Sequence, residues 1–232
     1  MRHAIPLALA CTVCISTCAA AVPLMKYSWD DCNTLTARKD FAGPAVYTQT
    51  ISGIGLNQPI NDFELVIGFL FDEIPPAWMF SDLCSFSCPF NCQPAGRVSL
   101  LLGGTACDTL PGFTLSAHYW FTLTPGLAGL TITGTASGPF TPDPAKRYTL
   151  ARIAFDHASS VSGPGGPGTC GGAQQPFRFR IGDFYLNGAD QRGHVTWENC
   201  IAAWNSDPDF ADCPLIVPVK NRTWGQIKSF YR

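Results

Sequence analysis

The chain has 232 residues, of which only 14% are charged, and a formal net charge of −2. No run of Lys and Arg is dense enough to form a basic face, which argues against nucleic acid as a partner. Frequent glycine and proline with few charges is typical of an exported β protein rather than a cytosolic helical one. A chain of this length can bury one substantial core.

The N-terminus predicts a secretory signal peptide over residues 1–21. A short basic start is followed by the apolar-to-small run "AIPLALACTVCIS" and by "TCAAA", whose small residues suit a signal peptidase. The apolar stretch is too short for a membrane helix, and no later stretch is long enough. A lipoprotein signal using Cys11, Cys14 or Cys18 is an alternative that the preceding residues fit poorly. We therefore expect a protein that is secreted or resides in the cell envelope, without a membrane span.

Runs of alternating apolar and polar residues predict strands along most of the remaining chain. "AVYTQTISGI" (45–54) alternates, whereas "FELVIGFLFD" (63–72) is so apolar that it predicts a central strand with both faces covered. The other predicted strands are "RVSLLLGG" (97–104), "FTLSAHYWFTL" (113–123), "LTITGTA" (130–136), "RYTLARIAFDH" (147–157), "FRFRIGDFYLNG" (177–188) and "GHVTW" (193–197).

Helical patterns are confined to two places. "NCIAAWN" (199–205) predicts one turn after the last strand, and "TWGQIKSFYR" (223–232) has the apolar spacing and basic end of a short C-terminal helix. The Gly/Pro/Ser-rich stretch 158–176 predicts a long loop within one domain. The predicted fold is all-β: an antiparallel β-sandwich of about nine strands over 22–213, followed by a tail over 214–232.

Removal of the leader leaves an even number of cysteines, which in an exported chain predicts up to four disulfides that staple the fold. The candidates are Cys32, Cys84, Cys88, Cys92, Cys107, Cys170, Cys200 and Cys213. In "CSFSCPFNC" (84–92), the four-residue spacing and Pro89 favour disulfides over a zinc site.

Two similar motifs, "WDDC" (29–32) and "WENC" (197–200), stand near the two ends of the predicted domain. We interpret them as strand ends joined by a Cys32–Cys200 disulfide, with a Trp packed beside each cysteine. Such a link would close a loop of about 170 residues, worth roughly 4–5 kcal/mol in the chain-entropy model. A catalytic pair of carboxylates in these motifs is a less favoured alternative.

The sequence predicts no catalytic residue, no cofactor and no metal site, because it contains no G-x-S-x-G, no H-E-x-x-H and no P-loop. Three alternatives stay open. A loose Ca²⁺ site could use Asn205, Asp207, Asp209 and Asp212, although the EF-hand pattern fails there. A secreted hydrolase could use Asp156 and His157. A carbohydrate-binding module could stack sugar rings on Trp78, Trp120 or Trp204.

Together, "WDDC", "PPAW", "YTLARIAFDH", "VTWENC" and "TWGQIKSFYR" resemble uncharacterised exported bacterial proteins. "FELVIGFLFD" and "LARIAFDH" also resemble strands of cohesin-type modules, which bind partner modules and catalyse nothing. We therefore expect a secreted or envelope-associated structural or binding module. Its partner is unknown, and a cell-surface protein and a glycan are the two candidates. The resemblance also implies that the tail acts as a terminal tag read by export or anchoring machinery.

Overall fold

The computed structural model of the protein describes residues 22–70, 75–78, 98–121, 127–165, 169–191 and 195–206. The predicted leader, the cysteine cluster 84–92, Cys213 and the tail with its predicted helix lie outside the described residues. Among the described residues, no helix is long and apolar enough to cross a membrane.

Strands of the described residues pair into two sheets. In spatial order, the first sheet contains β12 (Thr196–Asn199), β1 (Leu24–Trp29), β3 (Val46–Ile54), β9 (Tyr148–Asp156) and β5 (Val98–Leu101), with β6 (Asp108–Thr109) paired to β9. The second sheet contains β2 (Arg38–Lys39), β13 (Ile201–Trp204), β10 (Phe177–Leu186), β4 (Ile60–Leu70), β8 (Leu127–Phe140) and β7 (Phe113–Phe121), with β11 (Ala189–Asp190) paired to β10.

The predicted all-β sandwich is confirmed, and antiparallel pairs predominate as expected. Parallel pairing occurs between β1 and β12, between β2 and β13, and between β6 and β9. The described residues form thirteen strands rather than about nine, and their one helical element is a 3₁₀ turn at Pro76–Trp78. Five strands were not predicted: β1 has six residues, and β2, β6, β11 and β13 have two to four, which is too short for a two-residue period to show in the sequence.

The helical turn predicted at 199–205 is wrong, because Ile201–Trp204 forms strand β13. All four of its side chains are fully buried, and the strand lies between β10 and β2. A strand buried on both faces has no polar positions, so its four apolar residues carry no alternation that would distinguish a strand from a helical turn.

Alternating side chains of the two sheets meet in one core. Tyr27 and Ile51 lie opposite each other in the first sheet, and Phe69 and Phe179 do so in the second. All four are buried, and each such side chain contributes about 1.5–3 kcal/mol when it leaves water. The strand 63–72, predicted to be central, is indeed central as β4, but its outward residues such as Glu64 are only half-buried.

Candidate functional site

The centre of the outer face of the first sheet is polar and buried, whereas Val46 at the start of β3 is exposed. Lys26 lies opposite Ser52 and Ser28 opposite Thr50, on the side of the sheet that faces away from the core. These four side chains are nevertheless buried. Lys26, Ser28 and Thr50 hydrogen-bond to segment 30–35, which together with segment 102–107 we call the disulfide flap. Ser52 Oγ instead accepts a hydrogen bond from Arg147 at 3.4 Å.

Hydrogen bonds join the disulfide flap to the sheet below it. Ser28 Oγ donates to Asp31 O at 2.6 Å, and Thr50 Oγ1 donates to Asp30 O at 3.0 Å. From the second segment, the hydroxyl of Thr105 lies 2.7 Å from that of Thr149 in β9. The buried hydroxyls of Ser28, Thr50 and Thr149 are therefore paired with flap atoms instead of water.

The two segments of the flap are joined by the disulfide Cys32–Cys107, so the predicted Cys32–Cys200 pairing is wrong. The reason lies in the register of β1 and β12, which run parallel with Met25, not Trp29, beside Trp197. Cys32 continues into the flap, whereas Cys200 leads into β13 of the other sheet. Cys170 and Cys200 each take part in a disulfide as well, and Cys84, Cys88, Cys92 and Cys213 lie outside the described residues.

An ionic network borders the flap. Lys26 Nζ donates to Cys32 O at 3.1 Å and lies 3.3 Å from Glu198 Oε2. Arg147 contacts the other carboxylate oxygen of Glu198 at 2.8 Å. The acidic residues of the two motifs are thus structural: Glu198 holds two cations, and Asp30 pairs with Lys39 at 2.6 Å.

Asp31 holds the two flap segments together through its Oδ1. Backbone N–H groups of Cys32, Asn33 and Ala106 donate to that atom at 2.6, 3.4 and 3.3 Å. Burial raises the pKa of Asp31, but these three hydrogen bonds, together with the charge of Arg152, outweigh burial and leave the pKa below its ordinary value.

The outer face of the second sheet is open, and we call the surface formed there by β7, β8, β4 and β10 the open face. Side chains at opposing positions of neighbouring strands form cross-strand rows. One row contains Ser116, Thr133, Glu64 and Tyr185, and the next contains His118, Thr131, Val66 and Asp183. Ser116 and His118 are exposed, and the other side chains in these rows are half-buried.

Charge changes sign along the open face. Arg178 and Arg180 lie at one end of β10, and Asp183 lies further along the same strand. Asp62 and Glu64 of β4 lie at the opposite end of the open face from the two arginines, and this end is therefore negatively charged. Within the described part of the chain, the carboxylates of Asp62 and Glu64 form no hydrogen bond and no ion pair.

A cavity of about 310 Å³ opens at the acidic end of the open face. Its walls include Asp62, Glu64, Thr133, Thr135 and Tyr185. These side chains offer carboxylate, hydroxyl and phenol groups on one side of a sheet. No group of three or more His, Cys, Asp or Glu side chains suited to a metal ion occurs among the residues that the structure describes.

The three tryptophans considered for sugar stacking have different surroundings. Trp78 and Trp204 are fully buried, with ring centroids 5.0 Å apart. Trp120 is half-buried and lies across Gly129 at the basic end of the open face, where a Cβ on Gly129 would overlap the indole. The sequence indicates that Trp120 faces outward, because it lies two and four residues after His118 and Ser116, and alternate residues of a strand face the same side.

Asp156 and His157 do not combine into a catalytic pair. Asp156 lies opposite Val46 on the outer face of the first sheet. His157 is fully buried, with its ring 4.5 Å from that of Trp78 and its Nδ1 2.8 Å from Ser160 Oγ.

Of the residues considered for Ca²⁺, Asn205 has a structural role. Its Oδ1 accepts a hydrogen bond from the Phe41 N–H at 2.7 Å, and its Nδ2 donates to Ala173 O at 3.1 Å. Asp207, Asp209 and Asp212 lie outside the described residues.

No protein-family model matches the sequence, and a search of curated proteins gave no match. Among solved structures, one match is a type II cohesin domain from the cellulosome of Acetivibrio cellulolyticus. The two share 10% sequence identity at a TM-score of 0.39, over 80% of this chain and 96% of the cohesin chain.

Proposed function

We propose that this protein is a non-catalytic binding module that acts outside the cytosol and holds a protein partner against its open face. The observation that carries the proposal is the difference between the two outer faces. The first sheet's polar groups are covered by the protein's own disulfide flap, whereas polar and charged groups of the second sheet are accessible. Covering a polar face with a partner requires such accessible hydrogen-bonding groups.

Charge favours a protein as the partner. The open face runs from Arg178 and Arg180 to Asp62 and Glu64, so a surface with the opposite order of charges would be attracted in one orientation. Complementary charge patterns of this kind fix the orientation of partners and exclude wrong ones. A neutral ligand would gain nothing from the separation of charge.

Export is supported by three features. The N-terminal run has the layout of a secretory leader, the remaining cysteines are even in number, and Cys32 and Cys107 form a disulfide. Disulfides persist in oxidising compartments and are rare in the cytosol. The proposed site of action is therefore the extracellular space or the cell envelope.

Affinity capture with charge-reversal variants tests the proposal. Wild-type protein, Glu64→Lys and Arg180→Glu are immobilised and exposed to envelope and medium fractions of the source cells, with Val46→Glu as control. Val46 is 58% exposed on the first sheet. We expect one partner to bind the wild type and the control, and each reversal to weaken its affinity about tenfold or more, or about 1.4 kcal/mol. Equal binding by all four proteins would contradict the proposal.

Carbohydrate binding is the second candidate, and Trp120 favours it. Trp120 and Tyr185 lie on the same open face, and their strand positions place them on the order of 20 Å apart. Two aromatic rings on one face could hold successive sugars of a chain. A glycan array probed with the wild type and Trp120→Ala tests this: a hit lost in Trp120→Ala supports it, and no hit with the wild type rejects it.

A further inference from the structure

The strand β7 forms an edge of the second sheet that lacks the usual features that prevent pairing with a strand of another chain. It is nine residues long and pairs only with β8 among the described strands, without any shift in register. The sequence of β7, "FTLSAHYWF", contains no charged residue, no proline and no glycine. Proteins normally protect such edges with lysine, proline, a bulge or a very short strand.

The other edges of the sandwich have this protection. At the far end of the second sheet, β2 has only two residues, Arg38 and Lys39, and both are basic. The edge strands of the first sheet, β5 and β12, have four residues each. Of the described edges, β7 alone is both long and uncharged.

Apolar side chains are incompletely covered on the same side of the sandwich. Leu115 and Ala117 of β7 are only partly buried, as are Val98 and Leu100 of β5. β5 lies next to β7 across the two sheets. A strand added to β7 would therefore gain backbone hydrogen bonds and also cover apolar surface.

We propose that β7 pairs antiparallel with β7 of a second copy, which joins two sandwiches through one continuous sheet. With Ala117 opposite Ala117 of the second copy, Ser116 faces His118 and Thr114 faces Trp120 across a two-fold axis. These two pairs on the open face each join a small side chain to a large one, and no like charges meet. The same patch serves both copies, as a two-fold interface requires.

The size of this interface sets the strength of the dimer. A nine-residue strand is about 30 Å long, and the sandwich edge is about one sheet spacing, ~10 Å, deep. The buried area therefore falls below the roughly 1,200 Å² of stable interfaces. The dimer therefore dissociates on dilution. Because the two sheets join edge to edge, the dimer leaves the open face of each copy uncovered.

Sedimentation equilibrium of the mature protein over a range of concentrations tests the dimer. We expect the wild type to change from one chain to two as concentration rises. The double variant Ser116→Lys/His118→Lys should stay at one chain, because it places lysines opposite lysines. Both positions are exposed, so folding is retained, which circular dichroism checks. Val46→Lys, on the first sheet, should dimerise like the wild type.

Two results would overturn the proposal. One is a wild type that stays at one chain at every concentration, and the other is a double-lysine variant that dimerises as well as the wild type. Hydrogen exchange adds a second readout. Amides of β7 should exchange more slowly as the wild type is concentrated, whereas slow exchange in a single chain would show that the protein's own segments cover this edge.

Discussion

The hydroxyl of Tyr27 donates a hydrogen bond to Gln49 Oε1 within the core, where both side chains are fully buried. Burial raises the pKa of Tyr27 well above its ordinary value, which keeps the phenol neutral and able to donate. Nε2 of Gln49 is buried without a partner among the described residues. The hydrogen bond thus satisfies the Tyr27 hydroxyl and the Gln49 carbonyl oxygen, whereas the unpaired Gln49 Nε2 destabilises the folded protein.

Removing one member of this pair should destabilise the protein more than removing both. Tyr27→Phe leaves the Gln49 oxygen buried and unpaired, so we expect a loss of about 1–3 kcal/mol in the free energy of unfolding. The double variant Tyr27→Phe/Gln49→Leu removes both partners and should recover most of that loss. Urea denaturation of both variants measures this. Additive losses would show that the two side chains do not interact.

Acid should loosen the disulfide flap through Asp31. Its pKa is lower in the folded protein than in the unfolded chain, so Asp31 contributes stability above the unfolded pKa. That contribution is lost as pH falls through the folded pKa. We expect the protection factors of amides in 30–35 and 102–107, taken against the intrinsic exchange rate at each pH, to fall at the acidic end of the titration.

Asp31→Asn is the matched control for this pH effect. The amide retains an acceptor oxygen but does not titrate there, so the variant's flap should exchange faster than the wild type's near neutral pH. It should also lose the acid-dependent change in exchange. A wild-type change that persists unaltered in the variant would assign the titration to another group.

Gly129 should tolerate no side chain, because Trp120 covers it. A Cβ at this position would overlap the indole and lie 2.7 Å from the Ile67 carbonyl oxygen. Gly129→Ala should therefore displace Trp120, shift its fluorescence towards that of a solvated indole, and cost about 1–3 kcal/mol as overpacking.

Gly138 provides the control within the same strand, since a Cβ there meets nothing within 4 Å. Gly138→Ala should leave both the fluorescence and the free energy of unfolding nearly unchanged. If the two alanine variants behaved alike, Trp120 would not lie on Gly129.

Strand positions can be predicted from the sequence wherever one face of a strand is exposed to water. In β3 and β10 the alternation of side chains is visible, so their positions were predicted closely. β13 was missed because all four of its residues are buried. The open face could also be predicted in part, since the polar residues of β7 and Trp120 occupy alternate positions and therefore face the same side of the sheet.

The disulfide could not be predicted from spacing. Cys32 and Cys107 are 75 residues apart, and they meet because two loops fold over the same sheet. The matching motifs around Trp29 and Trp197 suggested a different pairing. In the structure those motifs lie on neighbouring parallel strands but out of register, which no local pattern reveals.

Disulfide mapping is the most direct test of the claim that a covalently fastened flap covers the first sheet, on which the proposal of binding at the open face depends. The protein is digested without reduction, with free thiols blocked, and the peptides are identified by mass spectrometry. We expect a linked peptide that contains Cys32 and Cys107, with a stabilising effect of roughly 4–5 kcal/mol from closing that loop. Blocked, unpaired Cys32 or Cys107 in natively folded protein, or Cys32 joined to another cysteine, would contradict it.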